Sequence, residues 1–316
     1  MQNQRRGLLK LLLGAAAGFS SLSSWAQTWP DKAIKLILGY TTGGASDATA
    51  RIINRPLEQI LKQSVVTDYK PGAGASIGAE FVARAAPDGY TIGLTDTGPL
   101  CIMPHLRKVS YDPLTSFTPL SYICTTGLVL IVNPELPVNN IQELIAMAKK
   151  RPGSLSYASS GVGSVHHLAG ELFKARAGVS IVHIPYRGAG PALTDLVGGQ
   201  IPVMFATIGP ALSMISAGKA RALGVTSLTR SASLPNVPTI AERGLNGYEA
   251  VLRFYVMGPA KMPQLITTKL QSDFKTVVTD STVIAELKKL GNDEIGYKSP
   301  SEIEALIQDD YRKWGN

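Results

Sequence analysis

Between Gly39 and Asp47 the chain reads GYTTGGASD, a loop of small residues. It sits between the apolar run 35–38 and an amphipathic stretch that begins at Ala48. Glycine-rich loops in that position often cradle phosphate, because bare backbone N–H groups at a helix start can approach an anion. Gly39 to Gly44 supplies the first half of a GxxxxGK[ST] signature. Ala45 and Ser46 then stand where Lys and Ser/Thr are needed, so a γ-phosphate has no countercharge. The dinucleotide pattern GxGxxG fails at its third glycine twice. Ile77 stands there after Gly72 and Gly74, and His166 after Gly161 and Gly163.

Catalytic constellations fare no better. The four histidines, His105, His166, His167 and His183, show no i, i+4 pairing, and no HExxH run exists. There is no GxSxG nucleophile elbow. Ser160 with His167 would make a nucleophile and base, but a turn serine beside a helix-face histidine explains both residues without chemistry. No metal, cofactor or enzymatic activity is therefore expected.

What remains is a set of loops rich in small and hydroxylated residues: GYTTGGASD (39–47), TDTG (95–98), YASSGVGS (157–164) and YRGAGPALTD (186–195). Each follows an apolar run, and three lead into helical patterns. In α/β sheets such loops lie at the carboxyl ends of strands, where ligands bind. Helix starts there carry about half a unit of positive charge, and glycines let the backbone close in. That chemistry suits a carboxylate held by backbone, hydroxyls and water rather than by a salt bridge.

The elements that would carry these loops alternate. Strand patterns fall at 35–40, 65–69, 90–95, 128–133, 155–159, 181–186, 202–207 and 221–227. Helical patterns fall at 46–63, 76–86, 141–150, 164–177 and 190–197. The alternation predicts an α/β fold with mostly parallel sheets. A length of 316 residues fits two lobes, and the β-rich stretches 120–133 and 248–259 are the candidates for crossing between them. The lobes would be 27–126 plus 252–316, and 127–251. Helices at 264–279, 281–290 and 300–314 would complete the first lobe.

Composition narrows the setting. Hydrophobic residues make up 45% and charged residues 17%, as in a folded water-exposed protein. Arg5, Arg6 and Lys10 precede an apolar core, and Ser24-Trp25-Ala26 offers a small-residue cleavage site. Residues 1–26 read as a secretory signal, by a Sec or a twin-arginine route, and the periplasm is the expected compartment. Their apolar core of about 12 residues falls short of the ~20 that a membrane span needs. The formal charge is +8, and removing the three basic residues of the leader leaves +5. No Lys/Arg run of nucleic-acid type accompanies it. Cys101 and Cys124 are the two cysteines. In an oxidising compartment they either pair or remain two free thiols.

Five strings carry a family resemblance: DGYTIGLT (88–95), PGAGASIGAE (71–80), YASSGVGSVHHLAGELF (157–173), HIPYRGAGPALTDLVGGQIPVMFAT (183–207), and RALGVTS with LPNVPTIAERG and GYEA (221–250). Together they resemble the Bug family, the solute-binding proteins of tripartite tricarboxylate transporters, over nearly the whole chain after the leader. The resemblance implies a two-lobed periplasmic-binding fold of type II, with two crossing segments and a ligand cleft. It implies capture of a small organic acid by a monomer that passes it to membrane permease subunits. A periplasmic sensor docking on a histidine kinase is the alternative role for the same fold.

By the same resemblance, Thr41, Thr42, Gly43 and Gly44 face Ser159, Ser160, Gly161, Gly163 and Ser164 across the ligand. Asp47, Thr95, Arg187, Gly188 and Ala189 match cleft-facing positions. Tyr40, Asp96, His167 and Thr207 complete the expected ligand-binding set. The chain departs from the family in two places. Thr41-Thr42 stands where relatives often have Pro-Pro, exchanging rigid donor-free residues for hydroxyls. Arg253 and Tyr255 stand where relatives often have Trp and Gly, and are expected to tune the ligand set toward an aromatic or dianionic compound.

Overall fold

The computed structural model describes residues 29–315, so the leader expected at 1–26 lies outside the described residues. From Lys32 onward the chain alternates as the patterns predict. β1 (Ile34–Leu38) leads to α1 (Ala45–Leu61), β2 (Val65–Tyr69) to α2 (Ser76–Ala83), and β3 (Thr91–Asp96) to the short α3 (Met103–Leu106). The long β4 (Phe117–Val132) crosses to a second set of elements. These are α4 (Ile141–Lys150), β5 (Ser156–Ser159), α5 (Val165–Ala177), β6 (Val182–Pro185), α6 (Ala189–Val197), β7 (Val203–Thr207), α7 (Ile208–Ser216) and β8 (Arg221–Val225). The chain returns through β9 (Val251–Pro259) and ends with α8 (Gln264–Thr279), α9 (Ser281–Lys289), β10 (Asn292–Ile295) and α10 (Pro300–Gly315).

The strands run in the order β2-β1-β3-β9-β4-β7-β5-β6, with β8 and β10 also paired to β4. β1 lies parallel to β2 and β3, and β5 lies parallel to β6 and β7. The sheet is nevertheless mixed rather than mostly parallel. β9 runs antiparallel to β3 and β4, and β4 runs antiparallel to β7, β8 and β10. The reason is connectivity, because the two segments that link the halves of the molecule run against their neighbours.

β4 is the spine of this arrangement. Its sixteen residues span about 50 Å at strand rise. Up to Gly127 it pairs with β9, and from Leu128 to Val132 it pairs with β7 and β8. Leu128, Val129, Leu130, Ile131 and Val132 are all fully buried, as a strand covered on both faces requires. Each such side chain contributes about 1.5–3 kcal/mol by leaving water. One apolar cluster joins Val129 and Ile131 to Leu196, Met204 and Ala206. Another joins Ile37, Val82, Tyr122, Tyr255 and Met257 to Ile303 and Ile307 of α10. The molecule is thus two α/β lobes joined by two crossing strands. α7 and β10 are elements that the sequence patterns did not resolve.

Cys101 and Cys124 are both free and buried. The Cys101 thiol donates to the Ile307 carbonyl at 3.6 Å and packs in the cluster with Tyr122 and Tyr255. Cys124 pairs across the sheet with Phe254, whose side chain takes the opposite face from Tyr255. The sheet therefore lies between the two thiols, and the disulfide is not formed. Burial pushes both thiols well above their ordinary range, so neither is a ready thiolate. Native, unreduced protein should react with essentially no thiol reagent, and denatured, unreduced protein with two equivalents. Recovery of no thiols after denaturation would establish a bridge instead.

Candidate functional site

Four strand-to-helix connections converge on one narrow pocket with ≈ 20 Å³ of room for a water-sized occupant. Gly44, Ala45 and Ser46 enter from the start of α1, and His166 is the second residue of α5. Ala189 is the first residue of α6, and Thr207 is the residue before α7. Each start carries unpaired N–H groups and a partial positive charge. Tyr40, Asp96, Ser160, Leu252 and Phe254 close the remaining walls. No lysine or arginine lines the pocket. An anion there is met by helix starts and hydroxyls, beside the Asp96 carboxyl and the His166 ring.

Six of the expected residues meet here: Tyr40, Gly44, Asp96, Ser160, Ala189 and Thr207. Asp96 is 1% exposed, and its Oδ1 accepts from the Gly98 N–H at 2.7 Å and the Tyr40 hydroxyl at 3.4 Å. Burial raises its pKa to about 7, against the lowering pull of those two bonds. The Ser160 hydroxyl pairs with Nδ1 of His166 at 2.8 Å, not with His167. Burial lowers His166 to about 4, so its ring is neutral. Its Nε2 and the Thr207 Oγ1 are buried and have no partner among the described residues.

A second group supports the walls from behind. Asp47 binds the Gly43 N–H at 3.0 Å, the Tyr69 hydroxyl at 2.7 Å and Arg51. Burial alone would raise its pKa, but these bonds outweigh it and hold the carboxyl below its usual range. It braces the first loop with oxygens that are already engaged, rather than facing the pocket. Ser159 bonds Nε2 of His183 at 2.6 Å, and Gly161 donates back to its hydroxyl. Ser164 caps α5 by accepting from the His167 N–H at 3.2 Å. Gly163 donates to Nδ1 of His167, whose ring stacks on His183 at 4.2 Å between centroids.

Side-chain direction places the other expected residues away from this pocket. Thr42 and Gly43 are exposed, and with Thr41 they line an outer groove alongside Gly190 and Pro191. Thr41 Oγ1 is turned into the packed contact with Gly188 and finds no partner. A Cβ on Gly188 would come 2.5 Å from that oxygen, and one on Gly190 2.6 Å from the Thr42 carbonyl. These two glycines permit the loops to touch. Arg187 lends its carbonyl to the Thr41 N–H at 3.4 Å, while its exposed side chain borders a mouth shared with Gly161 and residues 71–75.

Strand alternation relocates three more residues. Asp96 pairs with Phe254, and Thr95 pairs with Tyr255. The Asp96 and Phe254 side chains face the pocket, so Thr95, Tyr255 and Arg253 face the other way. Arg253 Nη1 reaches both oxygens of Asp310 on α10, each at 2.6 Å. Its Nη1 is engaged within the chain and lies on the face away from the pocket. Leu252, Phe254 and His166 take the places that sequence reasoning missed. The period-two rule applied to β9 could have found the first two.

The model for the tripartite tricarboxylate transporter family receptor matches residues 49–316. Protein BugT of Bordetella pertussis is 34% identical over 95% of this chain and 92% of its own length. The R. palustris protein Rpa4515, solved with adipate, superposes with a TM-score of 0.87 at 34% identity, covering 90% of this chain and 96% of its own. MatC from Rhodopseudomonas palustris, solved with bound malate, gives 0.86 at 27% identity over 91% and 99%.

Two predictions follow from this geometry. Removing one partner of a buried ion pair strands the other charge, and Asp310 is 7% exposed. Arg253→Met should therefore lower unfolding free energy by about 3 kcal/mol in urea titration and leave affinity for any ligand unchanged. The second concerns pH. Burial lowers His166 and His183 to about 4, below the ~6.5 of an unfolded chain. The unfolded form then takes up protons first as pH falls. The histidine contribution should be full above about pH 6.5 and decline toward pH 4. Asp96, raised to about 7, acts in the opposite direction over the same range. The readout is therefore the difference that His183→Gln makes, a shallower loss of urea midpoint on acidification.

Proposed function

The chain belongs to the tripartite tricarboxylate transporter receptor family, the Bug-type solute-binding receptors, and we propose how it serves that role. It is exported by a leader cleaved near Ala26, captures a small organic acid between its lobes, and hands it to membrane permease subunits. Lobe one comprises 27–126 and 252–316, and lobe two comprises 127–251. The carboxylate lies against the helix starts at Gly44, Ala189 and Thr207, with Ser160 as hydroxyl partner.

The convergence of four helix starts on one pocket without a lysine or arginine carries this reading. Two relatives of the same fold were solved with adipate and malate, both small dicarboxylic acids. Among the described residues no helix is long and apolar enough to cross a membrane. The protein performs no chemistry on its cargo. Ser160 and His166 form the one nucleophile–base pair in the pocket, and His166 Nε2 has no third group to orient it among the described residues. A base held to about 4 by burial is also a weak proton acceptor at neutral pH.

Mono- and dicarboxylates, including adipate and malate, should be screened by thermal shift and followed by calorimetry. A true ligand at 100-fold excess over Kd should stabilise the protein by about 2.7 kcal/mol. If sugars raised the melting temperature while no carboxylate did, the organic-acid reading would be wrong.

A further inference from the structure

Resting on the receptor reading, we propose that Arg187 determines specificity by pairing with a second acidic group at the far end of the cargo, in the outer chamber rather than the narrow pocket. The narrow pocket has ≈ 20 Å³ of room, so it takes a water or the leading oxygen of a carboxylate and no more. The body of any cargo must lie elsewhere. One larger chamber adjoins it, because Tyr40 and Ser160 line both. That chamber has ≈ 530 Å³ of room, within the range of about 300–1,000 Å³ common to small-ligand sites. The groove beside Thr41 and Thr42 shares no lining residue with the narrow pocket and does not continue it.

Both lobes wall the chamber. Residues 71–75 and Ile77 come from lobe one, and residues 160–162 with 185–187 from lobe two. Ile77 and Val162 line it while 47% and 48% exposed, apolar surface that a hydrocarbon body would cover. Arg187 is the one residue with a charged side chain in this lining. Its guanidinium has no hydrogen bond and no ion pair among the described residues. Arg51, Arg230 and Arg253, by contrast, are each paired with a carboxylate of the chain. Lys70, which precedes Pro71 of the lining, is engaged by Asp68 at 3.1 Å.

The backbone at Arg187 is fixed while its side chain is free. Its carbonyl accepts from the Thr41 N–H at 3.4 Å, and Gly188 packs on Thr41. These contacts join the lobes, so Arg187 stands opposite residues 71–75 only when the lobes meet. A second anion held between them favours the closed form by that differential contact. A planar guanidinium takes a carboxylate through two parallel N–H bonds. Its exposure lets water and salt screen the pair, so the gain is moderate and falls as salt rises. The two ends of the cargo thus meet different chemistry: backbone and hydroxyls at the inner end, one arginine at the outer.

The test is calorimetry on the straight-chain diacids from butanedioate to octanedioate, each beside the monocarboxylate of the same length. The series finds the span between the two ends, and the monoacid reports the inner end alone. On at least one frame the diacid should bind about fivefold or more tightly than its monoacid at low salt. That lead should shrink when salt is raised to about 0.5 M. Arg187→Gln should remove most of the lead by weakening the diacid. Arg187→Glu should transfer the lead to the matching ω-amino acid. A diacid no tighter than its monoacid on every frame overturns the inference and leaves the receptor reading intact. So does a lead that survives Arg187→Gln, or a loss in that variant shared equally by diacid and monoacid. Failure of every acid on every frame overturns the receptor reading and the inference with it. If either variant misfolds, the salt dependence of the lead in the natural protein decides.

Discussion

A helix start leaves backbone N–H groups with no partner inside the helix, and burying them without an acceptor is costly. This protein buries four such starts around one pocket. Much of its architecture follows from that choice. β1, β5, β6 and β7 each run into the helix that follows, so their carboxyl ends must all point to one place. Parallel pairs on each side, β1 with β3 and β5 with β7, align those ends within a lobe. Aligning them between lobes requires strands that traverse both, and β4 supplies the longest. Its pairing passes from β9 to β7 and β8 at Gly127 and Leu128, without a break in the strand.

Bringing the loops close enough also demands missing side chains and some strain. Gly188 and Gly190 let the 186–190 loop lie on Thr41 and Thr42. On the other side of the mouth, Gly74 abuts the Val162 carbonyl, and a Cβ there would clash with it. The neighbours of Gly74 are not glycines, yet Ala73 and Ala75 both adopt left-handed backbone, at φ 51° and 69°. Each such alanine costs on the order of 1 kcal/mol. The surroundings hold them there. Ser76 Oγ donates to the Ala73 carbonyl at 2.8 Å, and Arg107 donates to the same hydroxyl at 2.9 Å. Strained residues with such bracing sit at the entrance to the pocket, where the loop geometry matters most.

Much of the fold was legible because its signals are local. Residues 141–150 form a helix with the bounds expected, started by Asn140 and ended by two lysines. The apolar runs at 128–132 and 203–207 became buried strands, while β6 stayed largely exposed. α7 escaped because IGPALSMIS is short, apolar and interrupted by a proline that sits within its first turn. β10 escaped because NDEI carries no strand pattern and is held by pairing to β4 across more than 160 residues. The site was legible at the level of loops and not of atoms. Thr41 and Thr42 look like ligand donors in a linear string, but the turn through Gly43 sends them to the outer groove. His167 looks more prominent than His166. One helical position separates a ring stacked on His183 from a ring in the pocket.

β9 shows the largest of those differences in placement. A strand shared by both lobes has two faces with unrelated surroundings, and adjacent residues belong to different ones. Leu252 and Phe254 look into the pocket, while Arg253 and Tyr255 look toward α10. An arginine in a crossing strand suggests an anion partner, and it does have one, but the anion is Asp310 of the same chain. That ion pair fastens the last helix to the strand that also forms the pocket wall. The carboxylate of Asp310 therefore uses up the one cationic group that β9 could have turned toward a ligand. The pocket is left with no lysine or arginine and with Asp96 as its one carboxyl, and its positive character comes entirely from backbone.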